Sequence, residues 1–121
     1  MHAFGGYRVQ GKGADAEQRL IEDAAELEGA GAGMIVLEAI PAKLGAQVTK
    51  RLRIPTIGIG AGPDCSGQVL VLHDMLGITR GKRPRFVRDF ASGAASVEAA
   101  IRTYVADVKS RRFPDDAVHG Y

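Results

Sequence analysis

Three short strand-like runs constrain this chain more than any other feature: the continuous apolar Met34-Ile35-Val36-Leu37 and Val69-Leu70-Val71-Leu72, and Thr56-Ile57-Gly58-Ile59 between them. Each is too short for a helix and rich in strand formers. Continuous rather than alternating apolarity suits strands buried on both faces, as in a parallel sheet. The runs stop at Glu38, at Gly60-Ala61-Gly62 and at His73-Asp74. Glycine at such ends supplies positive φ or lets backbone come close to a neighbour, so these glycines punctuate elements and are not a flexible linker.

Helical spacing fills the intervals. Asp15, with Gln18 three residues on, makes a capping-box pattern. Leu20, Ile21, Ala24, Ala25 and Leu27 then predict a helix over 16–29, ended by Gly29, Gly31 and Gly33. Pro41 suits the first position of a second helix, in which Leu44, Val48 and Leu52 recur every four residues and which ends near Arg53. Ser96 caps a last helix whose Ile101, Tyr104, Val105 and Val108 share a face. The opening, 1–13, reads as a Gly-rich basic loop, 77–89 as a basic connection with Pro84 inside it, and 111–121 as a polar tail without periodicity. Helix, strand, helix, strand, strand, helix is the order of an α/β architecture with parallel strands and helical crossovers. A complete (β/α)₈ barrel needs about 250 residues, so the chain is either a minimal α/β layer or part of such a barrel.

Composition narrows the function classes. At 121 residues the chain makes one domain at most, and 45% hydrophobic with 25% charged residues is ordinary for a globular protein. A net charge of +2 is too small to argue for nucleic acid. No apolar run approaches the roughly 18 residues of a membrane span, and no signal-peptide pattern follows Met1. Cys65 is the sole cysteine and cannot form an internal disulfide. A soluble, cytoplasmic location is the expectation.

In parallel α/β sheets chemistry gathers at the C-terminal strand ends. Glu38 is the foremost candidate: a carboxylate at the mouth of a dry sheet, where burial would raise its pKa toward that of a general base. It could equally cap the following helix or pair with an arginine. Gly58-Ile59-Gly60-Ala61-Gly62 could present amides to an anion, but no Gly-Lys-Ser/Thr follows and a tight turn is the plainer reading. His73-Asp74 could form a proton relay, or His73 could bond to loop backbone; one His beside one Asp is not a metal-binding spacing. Arg80, Lys82, Arg83, Arg85 and Arg88 could attract a polyanion or form a solvated connection. Cys65 reads as incidental.

Taken together, Phe4-Gly5-Gly6-Tyr7-Arg8-Val9-Gln10-Gly11, Val36-Leu37-Glu38 leading into Pro41, Ile54-Pro55-Thr56-Ile57-Gly58-Ile59-Gly60-Ala61-Gly62, Gly67-Gln68-Val69-Leu70-Val71 with His73-Asp74, and Phe113-Pro114 resemble the ketopantoate hydroxymethyltransferase family over essentially the whole chain. The resemblance is to the C-terminal half of that family. It implies parallel βα units forming half of a (β/α)₈ TIM barrel, and a homo-oligomer that is a decamer in the family. The implied activity moves a one-carbon unit from 5,10-methylenetetrahydrofolate to 3-methyl-2-oxobutanoate, giving 2-dehydropantoate in pantothenate and coenzyme A biosynthesis. It also implies a Mg²⁺ ion on the keto acid, and it places the family's general base on Glu38.

The departures are equally definite. The family's metal-binding acidic residues and its substrate-binding serine and lysine belong to earlier strands, so no metal ligand is carried over to this sequence. Ser66 stands where the family often has an acidic residue. Two other readings remain open: a non-catalytic remnant or barrel-completing subunit, and a small α/β phosphate-binding module using the Gly60-Ala61-Gly62 turn. An incomplete barrel exposes apolar surface, so the isolated chain is expected to be poorly soluble or self-associating, with little activity.

Overall fold

The computed structural model describes residues 13–121. The Gly-rich motif Phe4–Gly11 and nearly all of the expected opening loop lie outside the described residues.

Helix α1, Ala14–Gly29, buries Ala24 and packs Leu20 and Ile21 against the core. Asp15 is not its N-cap: Gly13 holds that position without a side-chain hydrogen bond. Asp15 and Glu17 sit in the first turn, where the helix dipole favours negative charge. The helix ends in a Schellman pattern, with Ala32 N–H donating to the Leu27 carbonyl (3.0 Å) and Gly31 N–H to Glu28 (3.0 Å). Gly31, at φ 102°, supplies the left-handed residue this ending requires. The Glu28 carboxylate then accepts from the amides of Arg53 (2.6 Å) and Ile54 (3.1 Å), fastening α1 to the chain that enters the second strand.

Strand β1, Ile35–Glu38, runs parallel to β2, Thr56–Ile59, with Ile35 opposite Thr56 and Glu38 opposite Ile59. Burial on both faces is not what the structure shows. Ile35 and Leu37 are buried, whereas Val36 is 57% exposed. One face lies under α1 and α2, Ala42–Arg51; on the other, Ile59 packs against the second core while Val36 stays exposed. Pro41 is the N-cap of α2 rather than its first helical residue, and the helix stops at Arg51 with Leu52 as C-cap. Leu44 and Val48 are its most buried side chains.

The third strand differs from expectation. β3 is Gly67–Gln68, parallel to β2, with one further ladder bond from Val69 N–H to the Gly58 carbonyl (3.0 Å). The run Val69–Leu72 does not continue it: Leu70 turns into a second core, and Leu72–Met75 forms the one-turn helix α3. Ser66 explains part of this early pairing. Its hydroxyl accepts from Thr56 N–H (3.0 Å) and its amide donates to the Thr56 hydroxyl (3.2 Å), seating β3 beside the start of β2.

Helix α4, Val97–Lys109, starts at Ser96, whose hydroxyl accepts from Ala99 N–H (3.0 Å), as expected. The expected apolar face is rotated, however. Ala100, Tyr104 and Val108 pack inward, while Ile101 and Val105 are exposed beside Val97. Asp107 takes the inward place, held by Arg88. The tail is not structureless. Phe113 is buried among Phe90 and Tyr104, Arg111 pairs with Asp64, and Asp116–His119 forms the short helix α5. The sheet is therefore a three-stranded parallel one in order β1-β2-β3, in an α/β arrangement with two apolar cores.

Candidate functional site

Glu38 ends β1 and is half-buried. The β1–β2 pairing runs two residues past it, through Ala39 N–H to the Ile59 carbonyl (2.9 Å) and Ile40 N–H to the Gly60 carbonyl (3.0 Å). Ala39 takes φ 52°, a left-handed conformation that costs a non-glycine residue on the order of 1 kcal/mol. That residue is buried, and after Ile40 the chain leaves β2 and enters α2 through Pro41. Backbone outliers of this sort cluster at functional sites.

The neighbouring turn, Gly60-Ala61-Gly62, is filled by protein. At Gly60 (φ 71°) a Cβ would come within 2.7 Å of the Phe86 ring, and at Gly62 (φ 81°) it would strike Ala42. The Gly62 carbonyl accepts from Gln68 Nε2 (2.9 Å). The space that an anion would need beside these glycines is taken up, which favours the tight-turn reading.

His73 and Asp74 are not brought together at a strand end. Both lie in α3; His73 is exposed, whereas Asp74 is buried and accepts from the Thr79 hydroxyl. The basic connection is largely tied down. Arg83 donates to the Gly77 carbonyl (3.1 Å), Arg85 to the Val118 carbonyl (3.2 Å), and Arg88 bonds Asp107 (2.8 Å) while lying 4.4 Å over the Phe90 ring. The Cys65 thiol is pushed up by burial, partly offset by the Thr49 and Thr56 hydroxyls, which suits an inert side chain. Among the described residues no group of three or more His, Cys, Asp or Glu side chains could hold a metal ion. None of their helices is long and apolar enough to cross a membrane.

One residue near Glu38 escaped the sequence reading. Tyr121 packs its ring on Phe86, with centroids 6.5 Å apart. Burial pushes its phenol up; the backbone amides of Phe86 and Arg85 and the Arg85 charge oppose this, and the Glu38 carboxylate adds to it. The only signal in the sequence was aromatic character at the end of a polar string, where Phe113, His119 and Tyr121 lie too far apart to show a period.

The family described as ketopantoate hydroxymethyltransferase matches residues 1–116. The chain is similar to the 3-methyl-2-oxobutanoate hydroxymethyltransferase of Paraburkholderia phytofirmans, at 61% identity over 114 residues, and to that of Paraburkholderia phymatum, at 60%. It is similar also to 3-methyl-2-oxobutanoate hydroxymethyltransferase 1 of Burkholderia cenocepacia, at 59%. In each case the match covers 94% of this chain and 42% of the relative, so the chain spans less than half the length of the proteins it matches. The chain belongs to the ketopantoate hydroxymethyltransferase family.

Proposed function

We propose that this chain carries the proton-abstracting half of a hydroxymethyltransferase site, acting on 3-methyl-2-oxobutanoate with 5,10-methylenetetrahydrofolate to give 2-dehydropantoate. The observation that carries the reading is Glu38 at the C-terminal end of a parallel strand, followed at once by the left-handed Ala39. The proton on C3 of a 2-oxo acid is weakly acidic. A carboxylate at a shielded strand end can remove it in the step that forms the enolate; its C3 then bonds to the methylene carbon as that carbon's C–N bonds to the folate break, with water supplying the hydroxyl and tetrahydrofolate leaving. Glu38 takes the proton in that scheme.

In the same reading, β1, β2 and β3 are consecutive strands of a (β/α)₈ barrel, and the open face bearing Val36 turns toward the remaining strands. The Mg²⁺ that the family implies finds no ligand set among the described residues, and no step here runs through it. Homo-oligomeric assembly, a decamer in the family, and a cytoplasmic location go with the proposal.

The test is product formation by a polypeptide in which this chain follows the preceding portion of the Paraburkholderia phytofirmans relative. Glu38→Gln should lower turnover by about a hundredfold or more, the usual worth of a positioned base. Product accumulating at an undiminished pace would refute the assignment.

A further inference from the structure

We propose that Ile59 selects the branched substrate: its side chain, beside Glu38 on the same face of the sheet, is the wall against which the methyl groups on C3 of the keto acid rest. The inference rests on the reading of Glu38 as the base and adds to it the residue that favours a branched 2-oxo acid over a straight one.

The placement follows from register and alternation. Ile59 is the Cα partner of Glu38 across the parallel pair, and its carbonyl accepts from Ala39 N–H (2.9 Å), which locks the two residues side by side. Neighbouring strands lie about 4.8 Å apart, and successive side chains point to opposite faces. Ile35 and Leu37 of β1 belong to the core under α1 and α2, and the Thr56 hydroxyl of β2 lies 2.6 Å from that of Thr49 in α2. Glu38 and Ile59 are each an odd number of positions from these residues, so both take the face turned away from the helices. Both are half-buried, and Ile59 is backed by the second core. Val36 and Ile57 share that face but lie two residues earlier, roughly 6–7 Å further from the strand ends. Gly60, the next residue on β2's side, offers no side chain, and the Phe86 ring fills the place where one would stand.

The chemistry of C3 turns this placement into selectivity. To take the C3 proton, a carboxylate oxygen must come within about 3–3.5 Å of that carbon. The two methyl groups of 3-methyl-2-oxobutanoate are bonded directly to C3 and cannot swing away from it, so they meet the apolar side chain nearest the carboxylate. A straight 2-oxo acid, with one methyl on C3, leaves part of this contact empty. An acid with a longer branch presses against it.

The test is exchange of the C3 hydrogen for solvent deuterium in the joined full-length polypeptide, followed by NMR. In that exchange the C3–H bond breaks, its electron pair passes into the enolate, the carboxylate takes the proton, and a deuteron from solvent returns to C3. Three acids are compared: 3-methyl-2-oxobutanoate, 2-oxobutanoate, which lacks one methyl, and 3-methyl-2-oxopentanoate, which has one more methylene. Relative to wild type, Ile59→Ala should shift the kcat/KM ratio of the first acid to the second about tenfold toward the straight one, the low end of what one methylene is worth in an apolar pocket. It should also raise the relative kcat/KM of the third. Ile59→Val should move both ratios the same way by less, and it carries the test if the alanine variant does not fold. Leu37→Val, which loosens the opposite, helix-covered side, is the control and should leave both ratios at their wild-type values. Ratios unmoved by the Ile59 variants, or moved as far by Leu37→Val, overturn the proposal. Glu38→Gln separates the two claims. If it abolishes exchange while the Ile59 variants keep wild-type ratios, only the role of Ile59 falls; if it leaves exchange unaltered, the base reading falls and takes this inference with it.

Discussion

Arg88 Nη1 lies 2.8 Å from Asp107 Oδ2, joining the basic connection to the inward face of α4. The aspartate side chain is only 12% exposed, and the guanidinium also lies over Phe90. Removing the carboxylate would leave the cation beside an aromatic core with its best acceptor gone. Asp107→Ala is expected to destabilise the chain by about 2 kcal/mol, in the range for hydrogen bonds to charged groups. Urea unfolding followed by circular dichroism measures it, and a change under about 0.5 kcal/mol, the scale of ordinary surface substitutions, would show that the pair is a surface ornament.

A second prediction concerns α2 and the turn beyond β2. Gly45 is fully packed against the carbonyl of Ala61, which a Cβ at residue 45 would strike. In an ordinary helix, Gly→Ala stabilises by roughly 0.5–1 kcal/mol. Here the obstacle is backbone and cannot rotate away, so the sign reverses. Gly45→Ala should cost about 1–3 kcal/mol, the usual penalty for overpacking. Gly29→Ala, with nothing within 4 Å, is the control in the same denaturation series and should be neutral or better.

How much of this was legible in the sequence follows from the range of the forces involved. The helix over 16–29 and the Ser96 cap were readable because they depend on neighbours three or four places away. β1 and β2 were readable as strands, but not their one-sided burial: Ile35 and Val36 are equally apolar, and only the placement of α1 and α2 distinguishes them. The run Val69–Leu72 was ambiguous in kind, since four apolar residues can extend a ladder or fold into a core. Pairing by the short Gly67–Gln68 segment, seated by Ser66 on Thr56, settled it through contacts that no local pattern contains. The same holds at the site. Glu38 could be found from its position at a strand end, whereas Tyr121 meets Phe86 only through the packing of the tail, which carries no period.

The tail makes the chain sensitive to mild acid. His119 is buried, its Nδ1 accepts from Asp115 N–H (3.0 Å), and its ring meets Phe113 edge-on. Burial holds its pKa below the usual 6.5; the charges of Arg88 and Arg85 act in the same direction, and Asp115 opposes them. A base whose folded pKa is depressed is neutral in the fold and takes up a proton more readily when unfolded. Its stabilising contribution is present in full above about pH 6.5 and is lost as pH falls through the lowered value. Melting temperature should fall as pH drops below about 6.5 in the wild-type chain, and His119→Gln should flatten that slope whatever it does to stability at neutral pH. Parallel profiles for the two proteins would exclude His119 as the cause.

The open face of the sheet sets the last expectation. Val36, Val69, Val71 and Leu72 are each between 45% and 57% exposed. Val36 lies on the face of β1 turned away from α1 and α2, and Val69, Val71 and Leu72 follow β3; exposed apolar side chains of this size favour association. The isolated chain should therefore self-associate, with a sedimentation-averaged mass that rises with concentration. Val36→Lys places a charge on the outward face of the edge strand β1 without touching the core beneath α1 and α2, because Ile35 and Leu37 carry that side of the strand. It should lower the associated fraction markedly while leaving the melting temperature of dilute samples within a few degrees, since exposed substitutions usually stay within about 0.5 kcal/mol. Joining the chain to the preceding portion of a relative should have the same effect by covering the face, and there Val36→Lys should become destabilising. A Val36→Lys variant that associates as strongly as wild type, or that is tolerated equally in both settings, would mean that this face is not where the rest of a barrel packs.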